Sequence, residues 1–152
     1  MRRGAGTSMC CSGHARSGCP WDENACWGAA QGGHLEVLQW ARANGCPCNK
    51  ETCSNAAFGG HLEVLQWARA NGCPWDEETC VGAAEGGQLE VLSSARANGC
   101  PWNEWTCEMA VKGGHLELLQ WARANGCPWN RNTRKYASGS VMEWVVASGV
   151  PE

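Results

Sequence analysis

The chain has 152 residues, a formal net charge of −3 and no basic block, which argues against nucleic acid as its main partner, because phosphate binding needs clustered Lys and Arg. The length fits about one domain, and no apolar run approaches the ~18 residues of a membrane span. Twelve cysteines raise the question of disulfides or zinc.

Residues 1–17 carry Arg2, Arg3 and Arg16 with no acid and lack the apolar stretch of a secretory signal. The segment His14-Ala15-Arg16-Ser17-Gly18-Cys19-Pro20 reads as the tail of a degraded repeat, in preference to an organelle-targeting segment. From there a Gly-Cys-Pro step recurs at Gly18, Gly45, Gly72, Gly99 and Gly126, a period of 27 residues. Residues 33–44 return unchanged as 60–71, and return again as 114–125 with only Leu118 altered. The chain therefore divides into units 18–44, 45–71, 72–98 and 99–125, followed by a shortened unit 126–152. Such self-similarity marks a repeat architecture, in which units bury their apolar faces against neighbours.

The third unit shows the internal plan. After Pro74-Trp75, Asp76 is a suitable N-cap, and Glu77 and Glu78 suit the positive end of a helix dipole. Cys80, Ala83 and Ala84 fall at i, i+3 and i+4, an apolar face of small residues. Gly86-Gly87 ends this first helix. The second helix is clearest in the second unit, 61–72, where Leu62, Leu65 and Ala68 share a face widened by Val64 and Trp67. Asn71-Gly72 stops it. Neither helix exceeds about 12 residues, so each needs tertiary packing to persist. The expected fold is all-α, a helix-turn-helix solenoid. Trp40, Trp67, Trp121 and Trp144 are expected in the core. Trp21, Trp75, Trp102 and Trp129, which follow the connector proline, either brace neighbouring connectors or form an aromatic ridge; bracing is the preferred reading. The third unit departs from the others: Gln88 replaces His, and Ser93-Ser94 replaces Gln-Trp.

The repeat accounts for most cysteines. Cys19, Cys46, Cys73, Cys100 and Cys127 hold one position, and Cys26, Cys53, Cys80 and Cys107 hold another. Same-position residues of stacked units should lie about 8–10 Å apart, beyond the ~7 Å between alpha carbons that a disulfide spans and too far for a thiolate zinc cage. The columns are thus expected to be buried, small apolar residues. Neither Cys46-Pro47-Cys48 nor Cys10-Cys11 has zinc-knuckle spacing. Reduced thiols, with no secretory signal or membrane span, imply an intracellular, cytoplasmic protein. No cofactor or metal is expected.

The segment Ala29-Ala30-Gln31-Gly32-Gly33-His34-Leu35-Glu36-Val37-Leu38-Gln39 resembles the ankyrin repeat, with Asn44-Gly45 in the place of the family's closing Gly-Ala. The resemblance covers residues 18–151. His34, His61 and His115 match the family's structural histidine, and Gln88 departs from it. Thr79-Cys80-Val81-Gly82 stands where the family has Thr-Pro-Leu-His. A family unit runs about 33 residues; the units here are shorter, and the loss falls between Gly45 and Thr52 and their equivalents. The resemblance implies that the projecting β-hairpin fingers are shortened or absent. Leucine-rich repeats need an asparagine one place earlier than Asn44, and tetratricopeptide units are longer.

Catalysis needs an asymmetric cluster of unlike groups, whereas Cys, His and Glu here recur in columns, so no enzyme activity is expected. Pairs such as Cys26 with His34, or Asp76 with Glu77, read as packing and capping. Binding is read from positions that vary within the fixed frame. One column runs Trp27, Ser54, Val81, Glu108, Lys135; the next runs Gly28, Asn55, Gly82, Met109, Tyr136; a third runs Gln31, Phe58, Glu85, Lys112. In ankyrin-like arrays this side of the first helix lines a concave groove, and a mixed aromatic and charged groove suits recognition of another protein by a monomeric scaffold. A spacer array with no specific partner and, less favoured, a cysteine-rich metal or redox module are the rival readings.

Overall fold

The computed structural model describes residues 23–149 and forms an array of paired helices, with no β-strand among the described residues. The helices are α1 (Glu23–Gln31), α2 (Leu35–Ala43), α3 (Lys50–Phe58), α4 (Leu62–Ala70), α5 (Glu77–Glu85), α6 (Leu89–Ala97), α7 (Glu104–Lys112), α8 (Leu116–Ala124), α9 (Arg131–Lys135) and α10 (Gly139–Ala147). The reading of residues 1–17, together with Cys10, Cys11, Cys19 and Trp21, lies outside the described residues.

The first helices α3, α5, α7 and α9 each start at a side-chain cap. Asn49, Asp76, Asn103 and Asn130 accept a bond from the backbone N–H two residues on, which satisfies a donor the helix itself leaves open. Behind each cap a threonine (Thr52, Thr79, Thr106 or Thr133) is fully buried. Each second helix from α2 to α8 ends at Asn44, Asn71, Asn98 or Asn125. The Asn side-chain amide donates back to the carbonyl four residues earlier, at 2.8 Å each. The glycine that follows takes φ between +84° and +90°, a left-handed geometry that a side chain would resist.

First helices stack in sequence, α1 on α3, α3 on α5, α5 on α7 and α7 on α9, and each packs on the second helix of its own unit. Neighbouring second helices approach one another less closely than neighbouring first helices do. Small residues allow the tight spacing. A Cβ on Gly82 would stand 2.6 Å from the Ser54 carbonyl oxygen. The core is a ladder: Leu38, Leu65, Leu92 and Leu119 from the second helices, Ala56-Ala57 and Ala83-Ala84 from the first, and the described cysteines of the two columns, all essentially without solvent exposure.

The histidines before the second helices brace units together. His61 and His115 make no cap to their own helices. Their Nε2–H instead donates to the carbonyls of Gln31 and Glu85, at 2.9 and 3.1 Å, at the end of the preceding unit's first helix. In the third unit Gln88 makes the same bridge with its amide, to the Phe58 carbonyl at 3.3 Å, so the departure from histidine keeps the bond.

Two expectations about tryptophan resolve differently. Trp75, Trp102 and Trp129 do brace the connectors: half-buried, each lies under the guanidinium of Arg69, Arg96 or Arg123 at 4.1–4.3 Å. That arginine also donates to the carbonyl of Cys73, Cys100 or Cys127. The second-helix tryptophans, by contrast, are not core residues. Trp40 is 37% exposed, and Trp67, Trp121 and Trp144 are half-buried rings packed against the core from outside. Two of them meet connector tryptophans edge-on, Trp121 with Trp102 at 6.0 Å and Trp144 with Trp129 at 5.9 Å.

Candidate functional site

The variable positions lie on the first helices, and the stacking of those helices sets them side by side. Gln31 from α1, Ser54, Asn55 and Phe58 from α3, and Val81 and Glu85 from α5 line one shallow groove of about 250 Å³, together with Glu78 and Gly82. Phe58 is 38% exposed and Val81 is buried, so the groove has an apolar floor. Ser54 and Asn55 are half-buried, and both donate to the Glu51 carbonyl. Glu78 and Glu85 stand exposed at its margin. Gly82, from the second variable column, belongs to this groove, as does Glu78, which was not among the candidates. Glu78 serves the first turn of α5, and its sequence context shows only that role.

Glu108, Met109 and Lys112 on α7 and Lys135 on α9 continue the row, with Tyr136 immediately after α9. They do not line that groove. Met109 packs against the core. Tyr136 is 41% exposed, with the ammonium groups of Lys112 and Lys135 over its ring at 5.4 and 5.5 Å. One carboxylate oxygen of Glu108 is buried without a hydrogen-bond partner. Trp27 is on α1; its side chain lies outside the described residues. The row therefore passes from an apolar, acid-rimmed stretch at α3–α5 to a cationic, aromatic one at α7–α9.

The cysteines correct one expectation. Cys48 and Cys73 are joined by a disulfide, with alpha carbons 5.6 Å apart. The inference of wholly reduced thiols, and the intracellular, cytoplasmic location drawn from it, is thereby overturned. Unlike positions meet: Cys48 stands where other units have the connector tryptophan, and it faces the Gly-Cys-Pro cysteine of the next unit.

The same geometry brings the two columns together. Each first-helix cysteine approaches the connector cysteine 20 residues on. Cys53 reaches the Cys73 carbonyl at 3.9 Å, and the Cys80 and Cys107 thiols hydrogen-bond with Cys100 and Cys127. Burial pushes the Cys53 thiol up to about 12, and burial together with the Cys26 thiol pushes Cys46 up to about 12. Cys80 is raised by its hydrogen bond to Cys100 and by burial; Cys127 is raised by its hydrogen bond to Cys107 and by burial. Thiols held neutral in this way are poor nucleophiles. Among the described residues no group of three or more His, Cys, Asp or Glu side chains could hold a metal ion, and no helix is long and apolar enough to cross a membrane.

A pH dependence follows. In the unfolded chain thiols ionise near 8.5, whereas buried ones such as Cys53 resist ionisation until about pH 12. The unfolded state then loses protons that the folded state keeps. Stability from these groups is complete below pH ~8.5 and falls as pH rises toward 12, by about 1 kcal/mol per pH unit per thiol. Urea midpoints at pH 7, 9 and 10.5 should fall steeply above pH 9, and less so in Cys53→Ala. Equal slopes for the two proteins would contradict this burial argument.

In sequence, the chain matches no known family model and no curated protein.

Proposed function

We propose that the chain is a non-catalytic, ankyrin-type repeat scaffold that holds a segment of another protein along its first-helix face. The observation that carries the reading is the groove at α1, α3 and α5, where six variable positions from three successive units (Gln31, Ser54, Asn55, Phe58, Val81 and Glu85) share one surface. An apolar floor at Phe58 and Val81 with carboxylates at Glu78 and Glu85 suits an apolar segment bearing Lys or Arg. The cationic stretch at Lys112 and Lys135 suits acidic residues farther along the same segment. Opposite charge at the two ends would fix its direction, since electrostatic complementarity sets register and discriminates partners. The shortened connectors leave little that could act as a projecting finger, which concentrates recognition on the helix faces.

The test is affinity capture with the full chain, comparing wild type with Phe58→Ala/Glu85→Lys and with a control altered on the second-helix face, Gln120→Ala. Both sets of changes are at exposed positions, so all three proteins should melt alike. A partner retained by wild type and by the control, but at least tenfold weaker on the groove variant, is the expected result. Retention that ignores the groove changes would sink the reading in favour of an array with no specific partner.

A further inference from the structure

The structure assigns a second site, on the opposite layer of the array, and it is shaped for an indole ring. A cleft of about 390 Å³ opens between α4 and α6, with Leu65, Arg69 and Ala70 on one wall, Ser94 and Asn98 on the other, and Trp75 alongside. Its origin is visible in the repeat. Ser94 occupies the position held by Trp121 one unit later. There the Trp121 ring meets Trp102 edge-on at 6.0 Å, with the planes at 69°. Trp144 meets Trp129 in the same way, at 5.9 Å and 61°. In the third unit the connector ring, Trp75, is in place and still lies under its arginine, Arg69 at 4.3 Å, just as Trp102 lies under Arg96 at 4.2 Å. Only the second ring is missing. Leu65, Arg69 and Ala70 correspond to Leu92, Arg96 and Ala97, which precede the filled position in the next unit.

The array thus displays its own template for what the cleft accepts. We propose that the Ser94 cleft receives the tryptophan side chain of a partner polypeptide, its ring edge-on to Trp75 as the rings of Trp121 and Trp144 are to theirs. Aromatic pairs prefer this edge-to-face arrangement, which contributes beyond the area buried. Tryptophan is also the residue most at home as an anchor in a pocket at a protein interface. Ser94 is small and half-buried, and its carbonyl is already taken by the Asn98 amide at 2.8 Å. The cleft therefore offers shape and ring contacts rather than a polar clamp. The site is independent of the first-helix groove, and a partner could use either without the other.

The test uses the full chain and N-acetyltryptophanamide as probe, followed by nuclear magnetic resonance of the tryptophan ring N–H signals. Wild type should show a saturable shift of the Trp75 signal, with a dissociation constant on the order of a millimolar, as befits a lone ring without a polar anchor. Ser94→Trp should melt higher than wild type and lose the saturable shift, because its own ring fills the cleft. N-acetylalaninamide should shift nothing. The proposal is overturned if wild type gives no saturable shift at Trp75, or if Ser94→Trp binds the probe as wild type does. Should Ser94→Trp fail to fold, Trp75→Ala serves in its place, with binding read from line broadening of the probe's own signals: it removes the ring's partner, and probe binding as tight as that of wild type would equally overturn the assignment.

Discussion

Leu92→Ala should lower the stability of the chain by about 3–4 kcal/mol. Leu92 is among the largest fully buried side chains, with no exposed surface, and it lies on α6 in the middle of the described array. Truncating a buried leucine to alanine costs the transfer energy of the lost methyl groups plus a cavity term, together about 2–5 kcal/mol. The upper half of that range fits this site. Both neighbours are held by the close stacking of α3, α5 and α7, so the walls have little freedom to collapse inward. A single domain is stable by only 5–15 kcal/mol, so the loss removes a large share. In a linear array it also weakens contact with the units on both sides. Urea denaturation of wild type, Leu92→Ala and Val146→Ala checks it. Val146 is 48% exposed, and its variant should stay within 0.5 kcal/mol of wild type. A Leu92→Ala loss below about 1 kcal/mol would mean that the ladder of leucines is not the core.

The ladder itself could be read from the sequence, because burial on helices leaves a periodic trace. Leu65 with Ala68, Cys80 with Ala83 and Ala84, the cap at Asp76 and the stop at Asn71-Gly72 are all local patterns, and the structure has each in its expected place. The single layer of first helices also followed, since Phe58 and Glu85 hold equivalent positions in their units. What could not be read were contacts between unlike positions of different units. The spacing argument for cysteines compared each column with itself and gave a distance too long for a disulfide. The bond that exists joins Cys48, in the tryptophan position, to Cys73 in the next unit. Tryptophan misled for a related reason. A large ring on an apolar helix face reads as core, yet Trp40 and its equivalents lie at the edge of the core, where Trp121 and Trp144 meet other rings. Nor does any local pattern disclose that Gly82 is small because the Ser54 backbone passes so near it. The groove was legible as a set of positions. Glu78 was missed because a carboxylate in the first turn of a helix already has a structural reason to be there.

Reduction of the Cys48–Cys73 bond should cost the folded chain about 3 kcal/mol. The crosslink closes a loop of sequence separation 25, and the loop-closure entropy it removes from the unfolded chain corresponds to that figure. Cys48→Ser should show the same loss without reductant and should be insensitive to reductant thereafter. Cys48→Trp is the more informative change. It restores the residue that Trp75, Trp102 and Trp129 represent in the other units, each lying under an arginine of the preceding second helix. In the second unit the corresponding arginine is Arg42, whose Nε is buried without a hydrogen-bond partner, and the ring that would be met edge-on is Trp67. An arginine stack and an edge-on ring pair together contribute about 1–2 kcal/mol, so Cys48→Trp should recover roughly half of what the lost crosslink removes. Cys73, once unlinked, would then be placed as Cys100 and Cys127 are, against the first-helix thiol 20 residues before it. Denaturant midpoints of the three proteins, each with and without dithiothreitol, give the answer. A wild-type midpoint that does not move with reductant would show that the crosslink contributes nothing to the fold. A Cys48→Trp protein no more stable than Cys48→Ser would show that the connector tryptophans fill space without binding the units together.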